Sequence, residues 1–234
     1  MRVYLIFLSL FFLTINSSAQ RNNLKIENLQ NFDQKKIQFG YYIGFNNYNY
    51  KLDYKINPEK RTLIGDQIGI NVGLIGDLKL SKNLNLRFEP GLYTNKSEIV
   101  FYNREKFTKN SDTLRSIKST YIHFPLLIKY SAKRYNNIKP YLLGGLSTSF
   151  NLSGNQNSPE DNNNGVFRLK TNTFYYELGF GIDFYLRYFK FSPSIRGVFS
   201  LKNEIVPDLD PNSPWTGNID KMSTRAIFIN FSFH

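Results

Sequence analysis

Apolar and polar residues alternate with a period of two along most of the chain. The segment FYYELGFGIDFYL at 174–186 shows the pattern most clearly: every second residue from Phe174 to Leu186 is apolar, and the intervening residues include Glu177 and Asp183. Successive side chains of a β-strand point to opposite faces, so this segment has one apolar and one polar face. The pattern predicts a strand that separates two different environments.

Eight segments carry this alternation, and each has about the ten to fourteen residues that a tilted membrane-spanning strand needs. They lie near residues 38–46, 67–80, 84–93, 121–130, 141–150, 174–186, 190–201 and 226–234.

The connections between these segments fall into two groups. Those at about 81–83, 131–138 and 187–189 are short, and those at about 47–66, 95–117, 151–171 and 202–222 are long. Consecutive connections of an up-and-down meander lie at opposite ends, so all the short ones share one end and all the long ones share the other. This sorting is typical of outer-membrane barrels.

We therefore predict an all-β fold, an eight-stranded antiparallel up-and-down transmembrane β-barrel of the outer-membrane type. The apolar face would contact lipid and the polar face would line the lumen. The alternative is a soluble lipocalin-like barrel, which would bury its apolar set inside. The mean hydropathy of −0.39 suits a soluble protein, but alternating strands cancel in such an average.

The N-terminus predicts export. Residues 1–19 contain Arg2, an apolar run from Val3 to Ile15 and small residues before Gln20, which together indicate a signal peptide. Polar residues 20–36 are predicted to form a periplasmic tether, and residues 37–234 the barrel. We expect the protein in the outer membrane with both termini periplasmic.

Composition narrows the chemistry. The chain contains no cysteine, which excludes disulfides and cysteine-based metal or catalytic sites. Its net charge of +12 suits contact with outer-membrane lipid or lipopolysaccharide. An exported protein is not expected to meet nucleic acid, and no small-molecule substrate, cofactor or metal is predicted.

The predicted lumen contains acidic and basic side chains that should pair, because opposite charges in a confined space attract and hydrogen-bond. An eight-stranded barrel has room for little beyond its own side chains. The interior is therefore predicted to be a polar plug, with a conductance path as the alternative. The predicted lumen residues are Arg87, Glu89, His123, Lys129, Glu177, Asp183, Lys190 and Arg196, together with Asp77 and Lys79.

Other candidate features are weaker. His123 could act as a general base beside a lumen carboxylate, although a lone buried histidine is more often a hydrogen-bonded filler. Asp208-x-Asp210-x-Asn212 begins like a calcium loop but lacks its glycine and its final glutamate. Trp215 is a possible partner contact or a local packing residue. Tyrosines near strand ends predict interfacial girdles: Tyr48, Tyr50, Tyr93, Tyr130, Tyr135, Tyr185 and Tyr188.

Five segments resemble the PorT family of Bacteroidetes. They are NFDQKKIQFGYYIGFN at 31–46, LNLRFEPGL at 84–92, STYIHFPLLIKYSAKRYNNIKPYLLGG at 119–145, TFYYELGFGIDFYLRYFKFSPSI at 173–195 and IDKMSTRAIFINFSF at 219–233. The resemblance implies an outer-membrane component needed for type IX protein secretion, the route that exports adhesins, proteases and proteins of gliding motility. It implies other type IX secretion proteins as partners, and it transfers no catalytic residues.

Three hypotheses follow. The first is a non-enzymatic component of type IX secretion that acts by docking or assembly. The second is a generic small barrel, either a narrow porin or an adhesion protein, with no secretion role. The third is a membrane-embedded hydrolase or acyltransferase that uses His123.

Overall fold

The fold is a closed antiparallel barrel. The computed structural model describes residues 26–102, 107, 110–154, 156 and 168–234. The predicted signal peptide and residues 20–25 of the predicted tether lie outside these ranges. In order, the strands are β1 (Ile37–Tyr54), β2 (Leu63–Asp66), β3 (Ile68–Lys79), β4 (Leu84–Phe88), β5 (Gly91–Val100), β6 (Leu114–Ser131), β7 (Ile138–Asn151), β8 (Asn172–Tyr185), β9 (Lys190–Ser200) and β10 (Ile219–Phe233).

The ten strand segments form eight barrel strands, which we call staves, because two of the eight are each interrupted by a short break. β2 and β3 are separated only at Gln67, and β4 and β5 only at Glu89 and Pro90. Pro90 has no N–H to donate to a neighbouring strand, which explains the second break. The ring closes because Tyr41 of β1 lies opposite both Phe233 of β10 and Leu74 of β3. The predicted eight-stranded barrel is confirmed.

Short and long connections lie at opposite ends of the barrel. Residues 80–83, 132–137 and 186–189 join strands at what we call the short-turn end, where the segment 26–36 and His234 also lie. The described residues of the connections 55–62, 101–113, 152–171 and 201–218 lie at the long-loop end. Within the described ranges, the helical elements are two 3₁₀ turns, Phe32–Gln34 and Asn110–Thr113, and no helix is long and apolar enough to cross a membrane.

An apolar belt surrounds the half of the barrel nearer the short-turn end. Its outward side chains are exposed, while the polar side chains between them point inwards. This is the arrangement predicted for strands that separate lipid from a polar interior. The belt includes Phe39, Ile43, Phe45, Ile70, Leu74, Leu92, Leu126, Leu142, Leu178, Phe180 and Ile229.

The polarity of the wall reverses towards the long-loop end. Several strands continue beyond the bounds predicted from the sequence, so the predicted loops 47–66, 95–117 and 202–222 are too long. On these longer strands several apolar side chains point inwards and several polar ones point outwards, which suits strands that project past the lipid into water. The inward set includes Tyr48, Tyr50, Ile99, Ile117, Met222 and Phe228, and the outward set includes Asn49, Lys51, Lys118 and Arg225.

The structure also corrects the predicted aromatic girdles. Tyr130, Tyr135 and Tyr188 are exposed on the surface, as girdle residues should be. The other four tyrosines are buried inside the barrel, because they occupy inward positions of their strands. Those four are Tyr48, Tyr50, Tyr93 and Tyr185.

Candidate functional site

The polar interior is the main concentration of charged groups in the barrel. We use the term lumen network for four carboxylates and four basic side chains that are almost inaccessible to solvent. Each occupies an inward position of its stave, so the two-residue period of the strands aims all of them at the barrel axis. The lumen network comprises Asp77, Arg87, Glu89, Lys129, Glu177, Asp183, Lys190 and Arg196.

Two arginines connect three carboxylates across the lumen. The Arg87 guanidinium donates to Asp77 from Nε at 3.0 Å and Nη2 at 2.6 Å, and to Glu89 Oε1 from Nη1 at 3.2 Å. Arg196 Nη1 lies 2.9 Å from Glu89 Oε2 and 3.2 Å from Glu177 Oε2. Glu89, which lies between β4 and β5, therefore bridges both arginines. Through these contacts it links Asp77 on β3 to Arg196 on β9 and Glu177 on β8.

Lysines form a second cluster nearer the short-turn end. Lys129 Nζ donates to Asp183 Oδ2 at 2.6 Å, and Ser192 donates to the other oxygen of the same carboxylate at 2.7 Å. Lys190 Nζ donates to Gln38 at 3.1 Å. Lys79, at the end of β3, is only half-buried, because it sits at the mouth rather than within the lumen.

His123 is held between a serine and a carboxylate. Its Nε2 lies 2.7 Å from Glu177 Oε1 and its Nδ1 lies 2.5 Å from Ser149 Oγ. The rings of Tyr93, Tyr175 and Phe228 surround it, with centroids 5.0–5.9 Å away. Residue types of a catalytic triad are present, but His123 is 0% and Ser149 2% exposed. This geometry suits a hydrogen-bonded filler, since a substrate would have to enter a packed interior.

The lumen is filled by side chains that cross it. Gly91 and Gly181 leave room for large neighbours. A Cβ at Gly91 would overlap the side chain of Tyr42, and a Cβ at Gly181 would overlap that of Tyr141. The lumen network contains equal numbers of acidic and basic groups, so its formal charge is balanced. A packed and neutral interior favours the polar plug over the conductance path.

Trp215 packs locally in the last long connection. Its indole N–H donates to the Asp112 carbonyl at 3.0 Å, and the Arg115 guanidinium lies 4.3 Å from its ring centroid. It therefore joins the loop after β9 to the segment before β6. In the same loop, Asp208 pairs with Arg168 and accepts a hydrogen bond from Ser213. Among the residues that the structure describes, no group of three His, Asp or Glu side chains could hold a metal ion.

Glu204 is a buried carboxylate outside the strands, at the long-loop end. It is 2% exposed and accepts hydrogen bonds from the Thr224 N–H at 3.0 Å and the Thr224 hydroxyl at 2.7 Å. Burial raises the pKa of Glu204 above its ordinary value. The folded state therefore keeps this proton to a higher pH than the unfolded chain does.

We expect this proton to make stability depend on pH. A carboxyl with a raised folded-state pKa contributes stability below its unfolded value of about 4.3, and that contribution is lost as pH rises through the folded-state pKa. Thermal unfolding should therefore show that the wild-type protein loses stability relative to the Glu204→Gln variant as pH rises from about 4 to about 8. Parallel curves for the two proteins would contradict the expectation.

Comparisons with known proteins agree with the fold. A family model described as "Outer membrane protein beta-barrel domain" matches residues 19–206. No curated protein matches the chain. Similar solved structures include the outer membrane protein OprG from Pseudomonas aeruginosa, with 13% identity over 83% of this chain and 94% of that chain and a TM-score of 0.47.

Two further structures show the same general likeness. AlkL, solved by solid-state NMR in DMPC bilayers, has 12% identity over 84% of this chain and 88% of its own, with a TM-score of 0.45. Ail, the attachment invasion locus protein of Yersinia pestis, in complex with the heparin analogue sucrose octasulfate, has 10% identity over 85% and 99%, with a TM-score of 0.37. At these identities the similarity is one of fold alone.

Proposed function

The chain belongs to the family of outer membrane protein β-barrel domains, and on that premise we propose that it is a non-enzymatic component of type IX secretion that acts by docking or assembly. The secretion role comes from the resemblance of its sequence blocks to the PorT family. Other type IX secretion proteins would be its partners, with outer-membrane lipid and lipopolysaccharide around its wall.

The packed, charge-balanced lumen is the observation that carries the mechanism. A folded or extended polypeptide cannot pass where Arg87, Arg196 and their carboxylates cross the barrel. Exported proteins would therefore use another route, and this barrel would contribute its surfaces. Its mouths, long connections and outer wall are the parts that a partner can reach.

We also propose the orientation that the connections favour. Short turns of outer-membrane barrels face the periplasm and long loops face outwards. The segment 26–36 and His234 lie at the short-turn end, so both described ends of the chain would be periplasmic. Residues 1–19 would be removed as a signal peptide during export.

Deletion of the gene in its native host tests the secretion role. We expect proteins that leave by type IX secretion to accumulate inside the cell, and any gliding to stop. A plasmid copy of the wild-type gene should restore both. Normal secretion in the deletion strain would contradict the proposal.

A planar-bilayer recording separates the plug from the narrow-porin alternative. The purified protein should give no stable conductance steps, because the lumen network fills the barrel. Reproducible steps that change when Arg87 or Arg196 is substituted would favour the porin instead. Activity against lipid or peptide substrates that disappears in His123→Ala would favour the enzyme.

A further inference from the structure

Positive charge is concentrated on one surface of the barrel. We use the term short-turn face for residues 26–36, 79–83, 132–139 and 186–189. They contain eight basic and two acidic side chains, a net charge of +6. This net charge equals half of the +12 carried by the whole chain. The lumen network, by contrast, is balanced in charge.

A carboxylate of the chain itself already occupies this face. The Tyr185 hydroxyl donates to both oxygens of Asp33 at 2.7 and 2.9 Å, and Lys139 Nζ lies 3.3 Å from Oδ2. Lys79 Nζ donates to the backbone carbonyl of Asp33 at 2.7 Å. These contacts form a receptor for one acidic residue and its peptide group.

The position of Asp33 places this receptor across the mouth rather than at its rim. Lys79 ends β3, whereas Lys139 and Tyr185 belong to β7 and β8. In the ring order, β3 and β8 lie on opposite sides of the barrel. Headgroups of the surrounding bilayer contact the rim, whereas a polypeptide segment can lie over the opening as residues 26–36 do.

Much of the remaining basic charge on this face is not neutralised. Lys36, Lys82, Lys133 and Arg187 are exposed, and within the described ranges no carboxylate lies within ion-pair distance of them. Exposed cations without a carboxylate partner are available to an acidic partner, and they would steer it to this face.

We propose that the short-turn face is a docking surface for an acidic polypeptide segment of a partner protein, and that Asp33 occupies the carboxylate position of this surface in the isolated protein. The inference rests on the proposed function, since it names the chemistry of the partner that a docking barrel would bind. Complementary charge would steer such a partner to the mouth. A partner carboxylate would then displace Asp33 from Tyr185 and Lys139.

Fluorescence anisotropy of a labelled decaglutamate peptide, titrated with the full-length protein in neutral detergent micelles, tests the proposal. Asp33→Asn should bind about threefold or more tightly than the wild type, because the competing carboxylate is removed. Lys82→Glu/Lys133→Glu should weaken binding about tenfold or more. The matched control, Lys118→Glu/Lys221→Glu at the long-loop end, should bind as the wild type does. All variants should keep the heat-dependent gel mobility of a folded barrel.

Several outcomes would overturn the inference. Equal loss in the long-loop control would mean that only overall charge matters. An unchanged or lower affinity in Asp33→Asn would remove the role given to Asp33. Displacement of the peptide by added phosphatidylglycerol, with the same dependence on Lys82 and Lys133, would show that the face binds lipid headgroups instead. The assay uses purified protein, so its failure is distinct from a normal secretion phenotype in the deletion strain.

Discussion

Replacing Arg196 with methionine is expected to lower the free energy of unfolding by about 3–5 kcal/mol, because it leaves two buried carboxylates without their shared cation. Arg196 Nη1 lies within 3.2 Å of both Glu89 and Glu177. Glu89 keeps Arg87 as an ion-pair partner, but among the described residues Glu177 keeps only His123 as a basic partner. Equilibrium unfolding in urea, with the protein in phospholipid vesicles, measures the change.

A second substitution separates lost charge pairing from lost packing. Arg196→Met/Glu177→Gln should recover part of the stability, since a neutral amide costs less to bury than an unpaired carboxylate. Arg225→Met is the matched control, because Arg225 is exposed on the outer wall; it should change stability by no more than about 0.5 kcal/mol. A cost below about 1 kcal/mol for Arg196→Met would mean that water reaches the lumen network.

The barrel wall is predictable from the sequence because a strand repeats every two residues whatever its partners are. Alternation from Phe174 to Leu186 identified one stave, and the same rule identified the inward positions of Arg87, Lys129 and Asp183. The difference between short and long connections then gave the two ends. All of these features depend on local order along the chain, so one sequence is enough to read them.

The reversal of polarity at the long-loop end could not be read in the same way. The same rule that places Phe45 outwards also places Tyr48 inwards, and the pattern alone does not show where lipid ends. Asn47, Asn49 and Lys51 mark the change, since a polar outward face is stable only in water. With that boundary recognised, the longer strands could have been predicted.

Contacts between distant segments were beyond sequence reasoning. Ser149 meets His123 because the register of β6 and β7 puts the two residues directly opposite each other. Asp33 meets Tyr185 because the segment before β1 folds back over the mouth. Neither pairing follows from spacing along the chain, since both depend on strand register and on how the mouth is covered.

Strand register also predicts opposite results for two adjacent glycines. Gly145 points inwards, and a Cβ there would overlap the Leu126 carbonyl oxygen and lie 2.9 Å from the Leu127 Cα. Both atoms belong to the backbone of β6, so no rotamer change relieves the contact and β6 must move away from β7. Gly145→Ala should therefore cost about 3 kcal/mol or more, which is enough to reduce the yield of folded barrel sharply.

Gly144 is the control that the chain itself provides. A Cβ at this outward position would lie 3.4 Å from the Leu178 side chain, an ordinary van der Waals distance. Gly144→Ala should change stability by no more than about 0.5 kcal/mol. The folded fraction after dilution from urea into detergent micelles, measured by heat-dependent gel mobility, gives the comparison. Equal yields for the two variants would mean that β6 and β7 can separate at Gly145 without opening the barrel, contrary to the close approach that the register of these strands requires.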